Sequence, residues 1–362
     1  MKGRIVYFSG TKKIGFTEHT LPEVEKGGVL ARIICTNICG SDVKNWKGAS
    51  SVGVCSNASC QGHEFVGKIH TLGEGVTTDS MGTPVKVGDR IVAPYYITCG
   101  TCSKCKIGRY DLCENAYIHL GSDPEAWPYF GGTFATHYYI YPEQKFYKVP
   151  DGVPDELAVG VNCAFSQVYY GLDRSELREG ETILIQGAGG LGLYASAIAK
   201  EKGARVIVID TVAARLKTAE SFGADLTVDA SATTLEEREQ IIKDYTGGAG
   251  PDVALEVTGF AGAFEEGIHH LAVMGRYVVI GINTLAANAT ISPGYITRKA
   301  LTVYGVCRYL PDYLHKSLIF LEKYQDKYPF KSFSERTFAL DEIGEALELS
   351  AERKITRAII KP

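Results

Sequence analysis

Residues 181–210 read ETILIQGAGGLGLYASAIAKEKGARVIVID. An apolar run, ETILIQ, meets the glycine cluster Gly187-Ala-Gly189-Gly190-Leu191-Gly192. Small and apolar residues follow as far as Gly203, and a second apolar run, RVIVID, closes the segment. The order predicts strand, tight turn, helix, strand, which is one βαβ unit with parallel strands. The glycines match G-x-G-x-x-G. Glycine lets the chain turn sharply and brings the backbone N–H groups of Gly190 and Leu191 to a pyrophosphate at the helix N-terminus. Asp210 ends the second strand, where a carboxylate accepts hydrogen bonds from ribose hydroxyls and repels a 2′-phosphate. NAD is therefore expected over NADP. Arg215 tempers this, because an arginine nearby hosts a phosphate in some sites.

Working outward, the same alternation continues downstream. LTVDAS is followed by a charged helix over Thr234 to Tyr245, then DVALEVTG, a helix over Ala261 to Ala272, GRYVVIGI and ALTVYGV. Strands alternating with helices predict an α/β class with a doubly wound parallel sheet. Upstream the texture differs. RIVYF, VLARIICT, VGKIHTLG, RIVAPYY and FATHYYIY are short β-branched and aromatic runs between turn residues, as in an antiparallel β-barrel. Beyond 300, YLPDYLHKSLIFLEKY and LDEIGEALELSAER read as helices and RAIIKP as a strand. The Gly/Ser-rich 48–60 stretch reads as a loop.

The chain has 362 residues, enough for two domains. Net charge is −4 and no long basic run occurs, so neither nucleic acid nor an anionic membrane is an expected partner. The first residues, MKGRIVYFSGTKKIG, lack an apolar core, and a cytoplasmic protein is expected. Ten cysteines in such a chain point to metal ligation or catalysis before disulfides. Four lie close together in CGTCSKCKIGRYDLC: Cys99, Cys102, Cys105 and Cys113. Four thiolates at this spacing suit a closed, structural zinc site, with an iron–sulfur cluster as the other group such thiolates hold. Gly100 and Gly108 let the lobe curl around the ion.

Further candidate ligands are scattered. Cys39 begins Cys39-Gly-Ser41-Asp42, His63 and Glu64 stand in Gly62-His63-Glu64, and Cys163 follows Asn162. Spacing alone does not join them. The order CGSD, GHE, the four-cysteine lobe, and a cysteine ahead of a Gly-rich loop resembles the zinc-dependent medium-chain alcohol dehydrogenase family. VKVGDRI, GGTFATHYYI and KVPDGVP extend the likeness over nearly the whole chain. The resemblance implies a GroES-like β-barrel domain over 1–163 and 301–362, with the zinc lobe at about 95–115. A Rossmann NAD-binding domain over 164–300 is then inserted in it, with the active site in the cleft. It implies two zinc ions per chain and hydride transfer between an alcohol and NAD. Cys39, His63 and Cys163 resemble the ligands of a catalytic zinc that keeps one position open. Glu64 looks like the carboxylate that approaches the metal during exchange, and Asp42 like the residue that fixes the His63 ring. Such an ion lowers the pKa of a bound oxygen acid from about 16 to roughly 7. Ser41 resembles the start of the family's proton relay. Lys44 stands where many members have the histidine that finishes it.

Weaker expectations rest on the same likeness. Ile280 and Ile282 resemble residues beside the nicotinamide, and Arg357 the basic residue that meets the pyrophosphate. Trp46, Tyr95 and Tyr96 fall in segments that line the alcohol pocket. With Trp127, Tyr129 and Phe130 nearby in sequence, they favour a secondary or bulky alcohol, cyclic, benzylic or apolar. A polyol or threonine-type dehydrogenase is the alternative, and a non-catalytic nucleotide-binding or structural protein the third reading. Relatives form dimers or tetramers, often along the last strands of the Rossmann sheet, so GRYVVIGI and ALTVYGV are the expected seam. Cys35 and Cys307 are expected in the core, and Cys55 and Cys60 as plain thiols.

Overall fold

The computed structural model describes residues 1–48, 58–282 and 285–362. Cys55 and most of the 48–60 stretch lie outside the described residues. The chain forms two compact units. Unit 1 comprises Met1–Ser166 and Leu310–Pro362, and unit 2 comprises Gln167–Tyr309.

Unit 1 begins with an antiparallel pair, β1 (Lys2–Gly10) and β2 (Lys13–Thr20). Its organising strand is β3 (Val29–Asn37), VLARIICTN, which is buried along most of its length. A two-residue strand, β4 (Ser59–Cys60), pairs with β1. β5 (Phe65–Leu72) lies antiparallel to β3 and leads through β6 (Arg90–Val92). β7 (His137–Ile140) also pairs with β3, and β8 (Tyr147–Lys148) pairs with β6. Apolar residues alternate into a core of Ile5, Val29, Ile33, Phe65, Ile69, Ile91 and Tyr139.

Unit 2 carries a six-stranded, wholly parallel sheet. In chain order its strands are β9 (Thr182–Gln186), β10 (Arg205–Asp210), β11 (Leu226–Asp229), β12 (Val253–Glu256), β13 (Arg276–Val279) and β14 (Thr302–Gly305). In space they run β11-β10-β9-β12-β13-β14. The order reverses between β9 and β12, which makes the C-terminal ends of these strands a topological switch point. The helices Gly190–Glu201, Ala213–Ser221, Leu235–Tyr245 and Ala261–His270 connect successive strands. Thr234 caps the third, sharing reciprocal bonds with Glu237. β14 pairs with β13 in parallel register, so residues 302–305 belong to this sheet rather than to the domain expected over 301–362.

Unit 1 resumes with a helix, Tyr313–Tyr324, and ends its pattern with β15 (Ser334–Ala339), a helix over Ile343–Ala351, and β16 (Arg357–Lys361). β16 lies antiparallel to β3, with Ile359 opposite Asn37. Val6, Phe8, Trp46, Phe134, Ile343, Leu347 and Ile360 form the core beneath it. Among the described residues no helix is long and apolar enough to cross a membrane.

Candidate active site

Cys39, His63, Glu64 and Cys163 each bring one donor atom into a cluster whose atoms lie within 4.8 Å of one another. They come from three local structures of unit 1. Cys39 precedes the short helix Gly40–Trp46. His63 and Glu64 lead into β5, and Cys163 follows a 3-10 turn, Val159–Asn162. Asp42 ties two of these residues together. Its Oδ2 accepts the Cys39 N–H at 2.9 Å, and its Oδ1 lies 3.1 Å from His63 Nδ1. That leaves His63 Nε2 for the cluster.

Glu64 is fully buried. Its Oε2 accepts bonds from Asn37 Nδ2 and Arg357 Nη1, both at 3.0 Å. Its Oε1 has no hydrogen-bond partner and lies 3.9 Å from His63 Nε2. Burial pushes the Glu64 carboxyl up to about 7, against the pull of the Arg357 guanidinium. A hydrogen bond to Cys163, with His63 behind it, holds the Cys39 thiol well below the ordinary range, while the same bond pushes Cys163 well up. Two thiol groups, an imidazole oriented by a carboxylate and a buried carboxylate oxygen without a partner fit a zinc ion with an exchangeable position.

The four-cysteine lobe is a second cluster, also with all donor atoms within 4.8 Å. Tetrahedral zinc–thiolate geometry puts the sulfurs about 3.8 Å apart. Cys99 and Cys105 stand 4.0 Å apart. Backbone N–H groups point at sulfur: Cys102 N to Cys99, Cys105 N to Cys102, and Cys99 N to Cys113, at 3.4 to 3.5 Å. The Thr101 hydroxyl holds Cys99 down to about 5, whereas burial pushes Cys105 up to about 12. The donor set fits a structural zinc.

In unit 2 the glycine loop follows β9 as the sequence predicts. Gly187 has φ +108, and a Cβ at Gly192 would sit 1.8 Å from the Gly187 carbonyl oxygen. Gly189 faces open space, beside the first turn of the helix Gly190–Glu201 with Leu191 half-buried. Asp210 Oδ2 accepts the Ala188 N–H at 2.7 Å and Oδ1 the Val212 N–H at 2.9 Å. Its carboxylate thus holds the loop from the end of the neighbouring strand. Arg215 is half-buried on the helix Ala213–Ser221. Ile280 is buried and Ile282 half-buried, just past β13.

Residues 25–151 match the family described as alcohol dehydrogenase GroES-like domain, and 190–323 that described as zinc-binding dehydrogenase. The chain is 32% identical over 338 residues to 5-exo-hydroxycamphor dehydrogenase from Pseudomonas putida, covering 93% of this chain and 91% of that one. It belongs to the zinc-dependent medium-chain alcohol dehydrogenase family. Another relative, erythritol/L-threitol dehydrogenase of Mycolicibacterium smegmatis, is 30% identical over 98% of this chain and 95% of its own length. The crystal structure of an alcohol dehydrogenase from Thermotoga maritima superposes with a TM-score of 0.93 at 29% identity, covering 100% of both chains. The chain is an oxidoreductase of that family, with a GroES-like and a Rossmann-type domain.

The remaining expected residues of this alcohol dehydrogenase fall in varied places. Ser41 and Lys44 are exposed on the helix after Cys39. Tyr95 is half-buried, with its ring edge-on to His63 at 5.2 Å. Tyr96 is buried against Tyr95. Trp46 is 3% exposed and belongs to the core cluster, with Lys12 over its ring at 5.2 Å. Arg357 pairs with Glu64 in unit 1. Cys35 is buried, but Cys307 is exposed, contrary to expectation, because the strand ends at Gly305 and Cys307 lies on the bend after it. Asn37 and Thr36 escaped the sequence reading. Thr36 Oγ1 donates to the Glu64 carbonyl at 2.6 Å. Only the β3–β5 register shows that they face Glu64.

Proposed function

We propose that this alcohol dehydrogenase oxidises a secondary or bulky alcohol, cyclic, benzylic or apolar, to a ketone or aldehyde with NAD, reversibly. The carrying observation is the aromatic wall at the metal cluster: Tyr95 stands edge-on to His63, with Tyr117 stacked on it at 6.4 Å. A flat, apolar wall one ring away from the ligands suits a substrate with apolar bulk. The hydroxycamphor relative supports the same class. The polyol reading keeps its support from the erythritol/L-threitol relative.

Zinc, when bound, would supply Lewis acidity toward the alcohol oxygen, and a bound nicotinamide would take the carbinol hydrogen with its electron pair. Cys39, His63 and Cys163 would hold the catalytic ion, and Cys99, Cys102, Cys105 and Cys113 the structural one. Asp42 keeps the His63 ring in one orientation. Glu64, paired with Arg357, stands beside the ligands as the exchangeable carboxylate. The Ser41 hydroxyl would accept the alcohol proton while giving its own proton on toward solvent past Lys44. Gly187, Gly189, Gly190 and Gly192 admit the pyrophosphate, and Asp210 selects NAD. No disulfide forms among the described cysteines, which suits a reducing, cytoplasmic setting. The exposed edge strand β14 suits a homodimer or homotetramer seam.

A panel of aryl, cyclic and polyol alcohols, assayed with NAD and NADP and with a zinc chelator, tests this. A higher kcat/KM for aryl or cyclic secondary alcohols with NAD is expected, and a polyol preference overturns the substrate class. Cys39→Ser should abolish turnover while NADH binding stays near wild type. Full activity in that variant refutes the ligand assignment.

A further inference from the structure

Glu256 ends β12 and is 0% exposed. A buried carboxylate is costly unless its oxygens are satisfied. Here Oε1 accepts three bonds, from the Thr258 N–H at 2.6 Å, the Thr258 hydroxyl at 2.8 Å and the Gly259 N–H at 2.6 Å. Oε2 accepts the Ile282 N–H at 3.0 Å. The Glu256 carbonyl takes the N–H groups of Ile280 and Gly281, both at 3.1 Å. One residue therefore fastens the turn after β12 to the turn after β13. All the side-chain contacts are donors, which suits an acceptor-only carboxylate.

The two turns meet backbone to backbone. A Cβ on Gly281 would come within 2.6 Å of Gly259 N and 2.8 Å of Glu256 Oε1. Both turns lie at the C-terminal edge of the parallel sheet, on the far side of β9 from β10 and Asp210. In a doubly wound sheet a dinucleotide crosses that edge at the switch point, one mononucleotide to each half. Asp210 and the glycine loop mark the adenosine half. The Glu256-bound turns mark the other.

We propose that Glu256 is a positioning residue for the nicotinamide mononucleotide half of the cofactor. It sets where the main chain of 258–259 and 280–282 stands. The proposal rests on the dinucleotide reading of unit 2. Glu256→Gln keeps the shape but places an amide NH2 against a donor whichever way the amide turns.

Calorimetric titration of the full-length, zinc-loaded protein with NADH and, separately, with ADP-ribose is the test. In Glu256→Gln the NADH Kd should rise roughly 10- to 100-fold. The ADP-ribose Kd, for a ligand without nicotinamide, should stay within about twofold. Equal weakening of both ligands reduces Glu256 to general support of the unit and overturns the proposal, as does no weakening of either. If Glu256→Gln does not fold, Thr258→Val removes one donor to Oε1 and is judged by the same selective loss. Wild-type protein that binds neither ligand overturns the dinucleotide reading instead, and so separates the two failures.

Discussion

Asp42 serves two ligands with one carboxylate, through the Cys39 N–H and the His63 ring. Asp42→Asn keeps the shape but loses the charge that orients the imidazole. Loss of such a partner costs about 10- to 100-fold in metal affinity. Zinc retention against graded chelator should show one ion leaving earlier than in wild type, with the lobe's ion unaffected. His137 gives a pH prediction. Burial, with the charges of His70 and Arg32 behind it, pushes it from the ordinary 6.5 down to about 4. The unfolded chain then takes up the proton first as pH falls, so stability rises with pH from about 4 to 6.5 and is fully present above. On going from pH 6.5 to 5, denaturant unfolding of wild type should lose on the order of 1 kcal/mol more stability than that of His137→Phe. At this scale the four-cysteine lobe was legible from its spacing. Cys39, His63, Glu64 and Cys163 were brought together in the sequence only by the family resemblance, because they lie far apart along the chain; the fold gathers both sets. The place of Trp46 was not legible. It lies four residues after Asp42 on one turn-spaced face of a helix, and both are buried, so the residue near the ligand in sequence points to the core.

Among elements, the glycine loop separates what the fold needs from what a ligand needs. Gly192→Ala would press a methyl group into the Gly187 carbonyl and should lower both the unfolding midpoint and NADH affinity. At Gly189 a Cβ meets nothing within 4 Å. Gly189→Ala should leave stability within about 1 kcal/mol of wild type yet weaken NADH binding, as measured by NADH fluorescence. Undiminished binding would remove the pyrophosphate from this loop. The βαβ run from 181 was legible because period, glycines and the closing aspartate agree. β4 and β8, two residues each, were not, since strands so short exist only through their partners β1 and β6. β14 was legible as a strand but not as a member of the dinucleotide sheet, because membership is decided by its pairing with β13.

For the whole molecule, β14 leaves one edge of the six-stranded sheet open, with Val303 41% exposed. If this edge joins copies of the chain, Val303→Lys should shift the mass seen by light scattering toward the monomer while zinc content stays at the wild-type value. An unchanged mass moves the seam elsewhere. The two-domain plan was legible from the change of texture near residue 164. The outer boundary was not, because the sheet runs on through 305. Glu64 and its partner Arg357 are 293 residues apart, with all of unit 2 between them. At about 5–20 residues per second, the ribosome needs roughly 15 to 60 s to make that span. Through that interval unit 2 becomes complete while β3 lacks β16 at Thr36 and Asn37 and the buried Glu64 lacks the Arg357 guanidinium. Synthesis thus imposes an order of assembly, unit 2 before unit 1, and leaves the half-built unit 1 with an unpaired strand edge as the nascent chain's point of exposure to wrong partners.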